Sequence, residues 1–396
     1  MFHELPPTAG LPPRLRDLFA LAGSTDLEKA LAGFLGVPEA QLECSGSACL
    51  VIALEFLKTR SERRTVIVPG YTCPLVVIAA RQAGCRVVAC DLVPGGFDLD
   101  IHHLKALLGP DTLCVVATHY GGALTDVERV RDAAKAHSQE IAVIEDAAQA
   151  FGARFDERPA GLKGDIGFYS FAAGKGLTLW EGGCLVAQES DVRAGLRETS
   201  KRLVKPDWRR EAWRAFQLFC YHFLYNPLGL ALAYGVPRRF WLWQGSPEKA
   251  IGEDYADHIP LHPVGRFRRR IGVQALKRIA AHVAGARKRR LSLVELVGQP
   301  PSKVRPYQGP GESSGLFLFA MTRTPAELDV ILSKAWPASF GVTKLFVHAI
   351  GDYASLAGLL EPSETPNARH LAATTLTITT SAFMTGPDRL AMIAML

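Results

Sequence analysis

Four short apolar segments, separated by stretches of helical or loop character, constrain the fold of this chain more than any other feature. They occupy residues 65–70, 85–92, 112–119 and 140–146. A helical pattern fills residues 126–137, between the third segment and the fourth. Because apolar segments that alternate with helices are typical of parallel strands covered on both faces, the sequence predicts an α/β fold with a mostly parallel sheet between helices. Ligands of such sheets bind at the carboxyl ends of the strands.

The length and composition predict two domains with a sizeable core. The chain has 396 residues, of which 48% are hydrophobic and 21% are charged, and this length exceeds that of one simple domain. We expect a large domain at residues 1–250, with an N-terminal arm and an aromatic, apolar insert near residues 208–243. A small C-terminal α+β domain should follow at residues 251–396. The net charge of +6 suits anionic ligands without requiring nucleic acid as a partner.

The eight cysteines show neither a C-x-x-C motif nor the paired spacing of metal ligands. Most of them lie within apolar segments, so we interpret them as buried free thiols in a reducing cytoplasm and predict no metal site. The first 15 residues lack the apolar core of a signal peptide, which also favours a cytoplasmic location.

Three segments carry residues that suggest chemistry. The segment EDAAQAFGA places Asp146 at the end of a predicted buried strand and Gln149 three residues later. The segment GDIGFYSFAAGKGLTLWEGG contains Ser170, followed by Lys175 between two glycines. The segment SGSACLVIALEFL is a small-residue loop that leads into an apolar helix, and the first N–H groups of such a helix can bind an anion.

These residue types together suit pyridoxal 5'-phosphate. The cofactor needs a lysine for its Schiff base, a carboxylate that keeps its pyridine nitrogen protonated, and a phosphate site. Each residue has a simpler structural interpretation when taken alone: a turn lysine for Lys175, a helix cap for Ser47, a strand hydroxyl for Ser170 and a loop amide for Gln149. Their joint spacing favours the cofactor site.

Three longer stretches carry a family resemblance. They are SGSACLVIAL, VIVPGYTCPLVVIAARQAGCRVVACDL and IEDAAQAFGARFDERPAGLKGDIGFYSF followed by GKGLTLWEGG. These stretches resemble the characteristic blocks of the DegT/DnrJ/EryC1/StrS aminotransferases, which are mostly sugar aminotransferases of pyridoxal-phosphate fold type I. The resemblance runs through nearly the whole chain. It implies a large domain with a seven-stranded type of sheet, pyridoxal 5'-phosphate as cofactor, and a homodimer with shared active sites.

The resemblance also implies roles for individual residues. Lys175 is expected to be the catalytic lysine, which binds the cofactor covalently and later moves a proton. Asp146 should pair with the pyridine nitrogen, and Gln149 should lie near the phenolic oxygen of the ring. The residues expected at the phosphate are Ser47, the backbone of Ala48, and Ser170.

Two departures from the family pattern concern the ring and the partner subunit. Cys73 stands where the family often has an aromatic residue that covers the cofactor ring. Tyr71 is a second candidate for that contact, with a strand-end aromatic as its alternative interpretation. The chain lacks the G-Y-N-Y-R-M stretch whose Asn reaches the partner's phosphate, and His262 or an arginine of RFRRR (residues 266–270) is a candidate replacement. A solvated basic face is the alternative for these residues.

The implied activity is aminotransfer. Glutamate or glutamine would donate the amino group, and a keto-sugar or related carbonyl compound would accept it, with a nucleotide-linked sugar as one candidate. Two alternatives stay open. The first is a pyridoxal-phosphate enzyme that acts on a lipophilic or membrane-associated carbonyl substrate. The second is a non-catalytic pyridoxal-phosphate-binding regulatory protein.

The middle of the chain is unusually apolar. Residues 215–237 carry no formal charge, although polar residues and a proline interrupt them. Basic residues recur every four positions just before this stretch, at Arg193, Arg197, Lys201 and Lys205. We consider three interpretations of residues 213–243: a membrane-spanning helix, a packed lid or dimer-interface helical pair, and a surface that contacts a membrane or a lipophilic substrate. The last would place the protein at the inner face of a membrane.

The C-terminal third mixes helices and strands. The sequence predicts helices near residues 273–284 and at 324–335 and 385–396, where Pro follows Thr or Gly at two of the starts. It predicts strands at 314–322 and 373–381 and a surface loop at 298–315.

Overall fold

The computed structural model describes residues 3–19 and 26–396. Seven of the described strands form one sheet in the order β1-β9-β8-β5-β4-β2-β3. They are β1 (Gln41–Glu43), β2 (Thr65–Pro69), β3 (Arg86–Cys90), β4 (Thr112–Thr118), β5 (Ala142–Asp146), β8 (Ile166–Ser170) and β9 (Gly183–Val186). Within this sheet β9 is antiparallel to both of its neighbours, and the other pairs are parallel. The predicted α/β fold with a mostly parallel sheet is therefore confirmed.

Helices cover both faces of this sheet. The helices of this part are α1 (Leu15–Leu18), α2 (Leu27–Leu35), α3 (Gly46–Lys58), α4 (Pro74–Gln82), α5 (Ile101–Leu107), α6 (Val127–His137) and α7 (Ser190–Leu203). Val66 and Val68 of β2 pack with α3 and α4, whereas Ile67 packs with α5 and α6 on the opposite face. The predicted strands and the predicted helix at 126–137 agree with these elements to within a few residues. A two-stranded hairpin, β6 (Arg154–Phe155) and β7 (Arg158–Pro159), lies between β5 and β8.

The C-terminal part has its own antiparallel sheet, in the order β10-β11-β13-β12. Its strands are β10 (Arg305–Pro306), β11 (Phe317–Met321), β12 (Val342–Thr343) and β13 (Thr375–Thr379). The helices around it are α12 (Arg266–Leu276), α13 (Ile279–Val297), α14 (Pro325–Ala335), α15 (Pro366–Thr374) and α16 (Gly386–Ile393). A separate apolar cluster joins this sheet to the ends of α13 and α16. The predicted C-terminal strands and the helices predicted at 324–335 and 385–396 are confirmed, whereas the range 273–284 is divided between α12 and α13 at Lys277 and Arg278. β10 interrupts the predicted loop, and the domain boundary at residue 250 stays a prediction.

The apolar insert consists of several short helices. They are α8 (Trp208–Leu224), α9 (Pro227–Leu230), a π-helical turn (Ala231–Gly235), α10 (Val236–Trp243) and α11 (Pro247–Ile251). The helix α8 ends at Leu224, shortly before Pro227, because proline cannot continue a helix. The Asn226 side chain then caps α9 by accepting the Gly229 N–H at 3.1 Å. Among the described residues, no helix is long and apolar enough to cross a membrane.

The prediction that the four basic residues before the insert lie on one helix face is wrong for the last of them, Lys205. Arg193, Arg197 and Lys201 lie on α7, but α7 ends at Leu203, so Lys205 falls outside the helix. The Arg193 guanidinium lies 3.6 Å from Glu39, and that of Arg197 lies 3.4 Å from a Glu28 oxygen. These arginines therefore already have anionic partners within the chain.

The cysteines follow the prediction in part. All eight are free, and six of them are buried; Cys73 and Cys220 are half-buried. Within the described ranges, no cluster of three or more His, Cys, Asp or Glu side chains could hold a metal ion.

Candidate active site

A cavity of about 390 Å³ lies at the carboxyl ends of β4, β5 and β8, beside the start of α3. Six of the seven predicted site residues line it: Ser47, Cys73, Asp146, Gln149, Ser170 and Lys175. The exception is Ala48, whose side chain is fully buried and whose N–H already donates to Ser45 Oγ at 3.0 Å. The structure thus brings together residues that are up to 128 positions apart in the sequence.

Two glycines hold Lys175 in a tight turn after β8. Gly174 has φ +81° and Gly176 has φ +73°, a left-handed conformation that side chains disfavour. A Cβ at Gly174 would also lie 2.5 Å from Thr8 Oγ1. Burial lowers the pKa of the Lys175 ammonium, and the nearby Cys73 and Asp146 act in the opposite direction. The turn therefore presents an amine that loses its proton more readily than a surface lysine.

Asp146 ends β5 with its side chain 4% exposed. Burial raises the pKa of this carboxyl to about 6, against the opposing effects of the Ala148 N–H, Lys175 and His119. Its Oδ1 accepts the Ala148 N–H at 2.9 Å. Because burial makes the charged form of this carboxyl group unfavourable, the position suits a ligand that brings a positive charge.

A buried His–Glu pair lies directly beside Asp146, and the sequence analysis did not identify it. His119 Nδ1 accepts the Thr125 N–H at 3.1 Å, so the ring proton is on Nε2 and is donated to Glu145 Oε1 at 2.8 Å. Burial would raise the pKa of Glu145, but His119 and the backbone N–H groups of Gly161 and Gly164 outweigh it and lower that pKa. The backbone N–H of His119 also donates to the backbone carbonyl of Asp146 at 2.8 Å, and this hydrogen bond connects the ends of β4 and β5. The position of His119 directly after β4 was the available sequence signal.

The start of α3 and the end of β8 form another part of the cavity wall. Ser45 caps α3, and Ser47 is its second residue. A Cβ on Gly46 would lie 3.0 Å from the Ser170 Cβ, so only a small residue allows the helix start to approach Ser170 this closely. Unpaired N–H groups of a first helical turn and two hydroxyls favour an anion such as a phosphate.

Several residues that line the cavity have a buried polar atom without a hydrogen-bond partner among the described residues. These atoms are Thr72 Oγ1, Thr118 Oγ1, Glu253 Oε1 and Thr343 Oγ1. Leaving such an atom unpaired costs about 1–3 kcal/mol. Independently of these atoms, the lysine, carboxyl and helix-start groups that line the cavity fit pyridoxal 5'-phosphate.

A second group of titratable residues, also missed in the sequence, comes from the segments after α11 and around β12. Glu253 is 7% exposed; its Oε2 accepts the Tyr353 hydroxyl at 2.7 Å and the Val347 N–H at 3.2 Å. Burial raises the pKa of Glu253 to about 7 and lowers that of Lys344 to about 8. Lys344 Nζ donates to the Val347 carbonyl at 2.7 Å. Both side chains line the cavity and give it groups that can bind a polar substrate.

The ring contact differs from the sequence-based expectation. Tyr71 is fully buried, packs against Phe97, Tyr120 and Phe346, and does not line the cavity, so its interpretation as a cofactor contact is wrong. Tyr255 does line the cavity, and its hydroxyl lies 3.7 Å from Cys73 Sγ. An aromatic residue from a distant segment thus occupies the surroundings of Cys73.

Two of the candidates for the partner's phosphate, His262 and Arg268, have partners within this chain. The roles of the other arginines at residues 266–270 stay predictions. His262 is 1% exposed and its Nε2 lies 3.8 Å from Glu181. Arg268 is fully buried; its guanidinium donates to Glu211 and to the Leu179 carbonyl at 3.3 Å. Arg268 is therefore not free to bind a phosphate, and the role of His262 stays a prediction.

Comparison with known proteins points in the same direction as the geometry. Residues 22–214 match the sequence model of the DegT/DnrJ/EryC1/StrS aminotransferase family. The chain is 32% identical over 172 residues to a GDP-perosamine synthase of Caulobacter vibrioides, which covers 43% of this chain and 46% of that protein. It is 34% identical over 148 residues to an L-glutamine:scyllo-inosose aminotransferase of Streptomyces griseus, which covers 37% of this chain and 34% of that one.

Solved structures share the fold over nearly the whole chain. A crystal structure of DesI with its TDP-sugar product superposes with a TM-score of 0.75 at 20% identity, covering 100% of this chain and 92% of that chain. A 3-amino-5-hydroxybenzoic acid synthase superposes with a TM-score of 0.68 at 20% identity, covering 93% and 88%. The sequence matches to the two curated relatives span less than half of the length of each. Residues 22–214, which are similar to the DegT/DnrJ/EryC1/StrS aminotransferase family, include every predicted cofactor-binding position.

Proposed function

We propose that the protein is a pyridoxal-phosphate-dependent aminotransferase. It would take an amino group from glutamate or glutamine and pass it to a keto-sugar or a related carbonyl acceptor. The observation that carries this proposal is that Lys175 and Asp146 line one cavity and that each affects the pKa of the other. Two matched relatives support the substrate class by their names, one a GDP-perosamine synthase and one a glutamine-dependent inosose aminotransferase.

When bound, the cofactor would supply the electron sink for the carbanion that forms next to the transferred nitrogen. Lys175 would bind the cofactor and, once released from it, accept and return the proton at the carbon next to that nitrogen. Its lowered pKa leaves the free amine available for this transfer. Asp146, with a pKa of about 6, is a carboxylate at neutral pH and would hold the pyridine nitrogen in its protonated form.

The other predicted residues would position the cofactor. Gln149 Oε1 accepts the Gly121 N–H at 3.2 Å, which leaves its Nε2 amide to donate to the phenolic oxygen of the ring. Ser47, Ser170 and the N–H groups at the start of α3 would hold the phosphate. Ala48 could contribute only by sharing the N–H that it now donates to Ser45. Cys73 and Tyr255 would contact the ring.

The acceptor would meet Glu253 and Lys344. A polyhydroxylated acceptor brings hydroxyl groups that can donate to the Glu253 carboxyl group and accept from the Lys344 ammonium, since both residues line the cavity. Both groups titrate near neutrality, with pKa values of about 7 and about 8, so the binding of a polar acceptor should depend on pH in this range.

The assembly and location are part of the same proposal. The family resemblance supports a homodimer with shared active sites and the division into domains at residues 1–250 and 251–396. The reduced state of all eight cysteines suits the cytoplasm, with the apolar insert as a possible contact to the inner face of a membrane.

Absorption spectroscopy tests the activity. The purified protein, incubated with pyridoxal 5'-phosphate and freed of excess cofactor, should show the visible band of a lysine-bound cofactor. Glutamate or glutamine should remove the band, and a keto-sugar acceptor should restore it. A band that persists with every amino-acid donor would instead favour the non-catalytic regulatory alternative, and a protein that retains no cofactor would contradict the proposal.

A further inference from the structure

The cavity of about 390 Å³ that Lys175 and Asp146 line is called the catalytic cavity below, after the proposed function. A second cavity, of about 430 Å³, adjoins it and is almost entirely apolar. Its walls come from residues 6–8, from the turn at 173–180, and from α8 through the π-helical turn. None of its lining residues carries a formal charge. Its volume falls within the range of about 300–1,000 Å³ that is typical of small-molecule sites.

The two cavities share part of their walls. The residues that line both are Pro7, Thr8, Ala173, Gly174 and Tyr234. Gly174 is the residue immediately before Lys175, so the apolar cavity reaches the backbone of the turn that carries this lysine. A molecule with its carbonyl group near Lys175 could therefore extend into the apolar cavity without leaving the protein.

The mouth of the apolar cavity opens on an exposed apolar surface. Ten of the sixteen large apolar side chains that are exposed among the described residues lie within residues 208–243. Phe216 and Leu224 belong both to this surface and to the cavity wall, and Trp213 stacks on Phe216 with the ring centroids 5.6 Å apart. Such a concentration of apolar side chains in water marks an interaction site.

We propose that the carbonyl acceptor is amphiphilic: its polar carbonyl end lies in the catalytic cavity, and an alkyl or isoprenoid chain attached to it lies in the apolar cavity. This inference rests on the proposed aminotransferase function, because the position of the carbonyl follows from Lys175. The wall that the two cavities share favours a chain on the substrate, rather than a second copy of the protein, as the occupant. A mostly apolar wall without a formal charge binds an apolar chain and offers no cation to a phosphate.

The test is binding of n-alkyl β-D-glucosides to the full-length, cofactor-loaded protein, measured by calorimetry below their micelle concentrations. Each methylene that enters an apolar site should raise the affinity about fourfold. Extending the chain from ethyl to hexyl should therefore raise it by about a hundredfold or more, with one molecule bound per chain. Because no turnover is needed, the result does not depend on which amino donor or acceptor the enzyme uses.

Phe216 and Phe223 provide a matched pair of variants on α8. Their side chains are 53% and 51% exposed, but only Phe216 lines the cavity. Phe216→Asp should reduce the affinity for hexyl glucoside at least tenfold and flatten the chain-length dependence, whereas Phe223→Asp should bind as the wild type does. Ala233→Trp, at an exposed position of the cavity wall, should block the chain if Phe216→Asp fails to fold.

The alternatives give different results. Affinity that is independent of chain length, or equal losses in the Phe216 and Phe223 variants, would overturn the inference and leave the aminotransferase proposal intact. Sedimentation that shows Phe216→Asp dissociating a dimer, with glucoside binding unchanged, would assign the surface to a second copy and also overturn it. If the cofactor band is absent while chain-length dependence is present, the proposed function fails and the apolar site stands without it.

Discussion

The two adjoining cavities of this protein differ in almost every physical property, although they share the wall around Gly174. The catalytic cavity contains titratable groups whose pKa values burial has shifted, including Asp146 and Lys175. The apolar cavity contains none with a formal charge. Burial of these groups therefore destabilises the cofactor-free protein, and a polar ligand in the catalytic cavity can reduce that destabilisation. Binding in the apolar cavity is favourable only because the apolar surface of a ligand is removed from water.

The largest effect should come from the carboxyl group at the base of the catalytic cavity. Asp146→Asn removes the charge that would hold the pyridine nitrogen protonated, so kcat should fall about 10²- to 10³-fold while the cofactor still binds covalently. The measurement compares Asp146→Asn with the wild type: the visible band of the bound cofactor should be retained, and kcat should be reduced. Asp126→Asn, which alters a helix-capping carboxyl outside both cavities, serves as the control and should retain turnover. Unchanged kcat in Asp146→Asn would remove Asp146 from the mechanism.

A variant of Glu253 tests whether a buried carboxyl group of the catalytic cavity destabilises the cofactor-free protein. The pKa of Glu253 is raised to about 7 from 4.5, so the folded state binds its proton more tightly than the unfolded chain does. The ionised Glu253 therefore lowers the free energy of unfolding. This effect is absent below pH 4.5, grows as the pH rises to about 7, and then stays constant. Glu253→Gln should therefore raise the free energy of unfolding of the cofactor-free protein by up to about 3 kcal/mol at pH 8 and have little effect at pH 4.5.

Urea unfolding at these two pH values measures the difference for Glu253→Gln. Glu295→Gln on α13, which removes an exposed carboxylate, is the matched control and should give the same small change at both. Equal stability of Glu253→Gln and wild type at pH 8 would contradict the account of this residue.

A smaller effect is expected at the wall between the cavities. Gly174→Ala places a side chain at φ +81° and close to Thr8 Oγ1, so the folded state should lose about 1–2 kcal/mol. The altered turn should also shift the visible band of the bound cofactor, since Lys175 follows directly. Gly33→Ala is the control: nothing lies within 4 Å of a Cβ there, and in helix α2 the change should stabilise the protein by about 0.5–1 kcal/mol. Similar thermal stability of Gly174→Ala and wild type would show that the turn tolerates a side chain.

The sequence predicted the catalytic cavity far better than its neighbour, for a physical reason. Asp146 and Gln149 lie in one continuous motif at a strand end, where side-chain types follow directly from the chemistry. Glu253 and Tyr255 reach the same cavity from a segment about 100 residues away, so local spacing gave no signal for them. His119 was accessible in principle because it follows a predicted strand.

The fold was predictable where short-range patterns decide it, and less so in the insert. The alternation of apolar segments and helices gave the parallel sheet. In the insert, the run of uncharged residues also suited a membrane-spanning helix, but Asn226 and Pro227 divide it into short helices. The apolar cavity joins the apolar insert to residues 6–8 and 173–180, which are far from it in the sequence, so only the tertiary structure reveals the cavity.

Borohydride trapping tests the central claim most directly. Cofactor-loaded protein is reduced, digested and examined by mass spectrometry to locate the modified lysine. The account predicts the adduct on Lys175, its loss in Lys175→Ala, and its retention in Lys344→Ala, which alters the other lysine lining the cavity. An adduct on Lys344, or one that persists unchanged in Lys175→Ala, would contradict it.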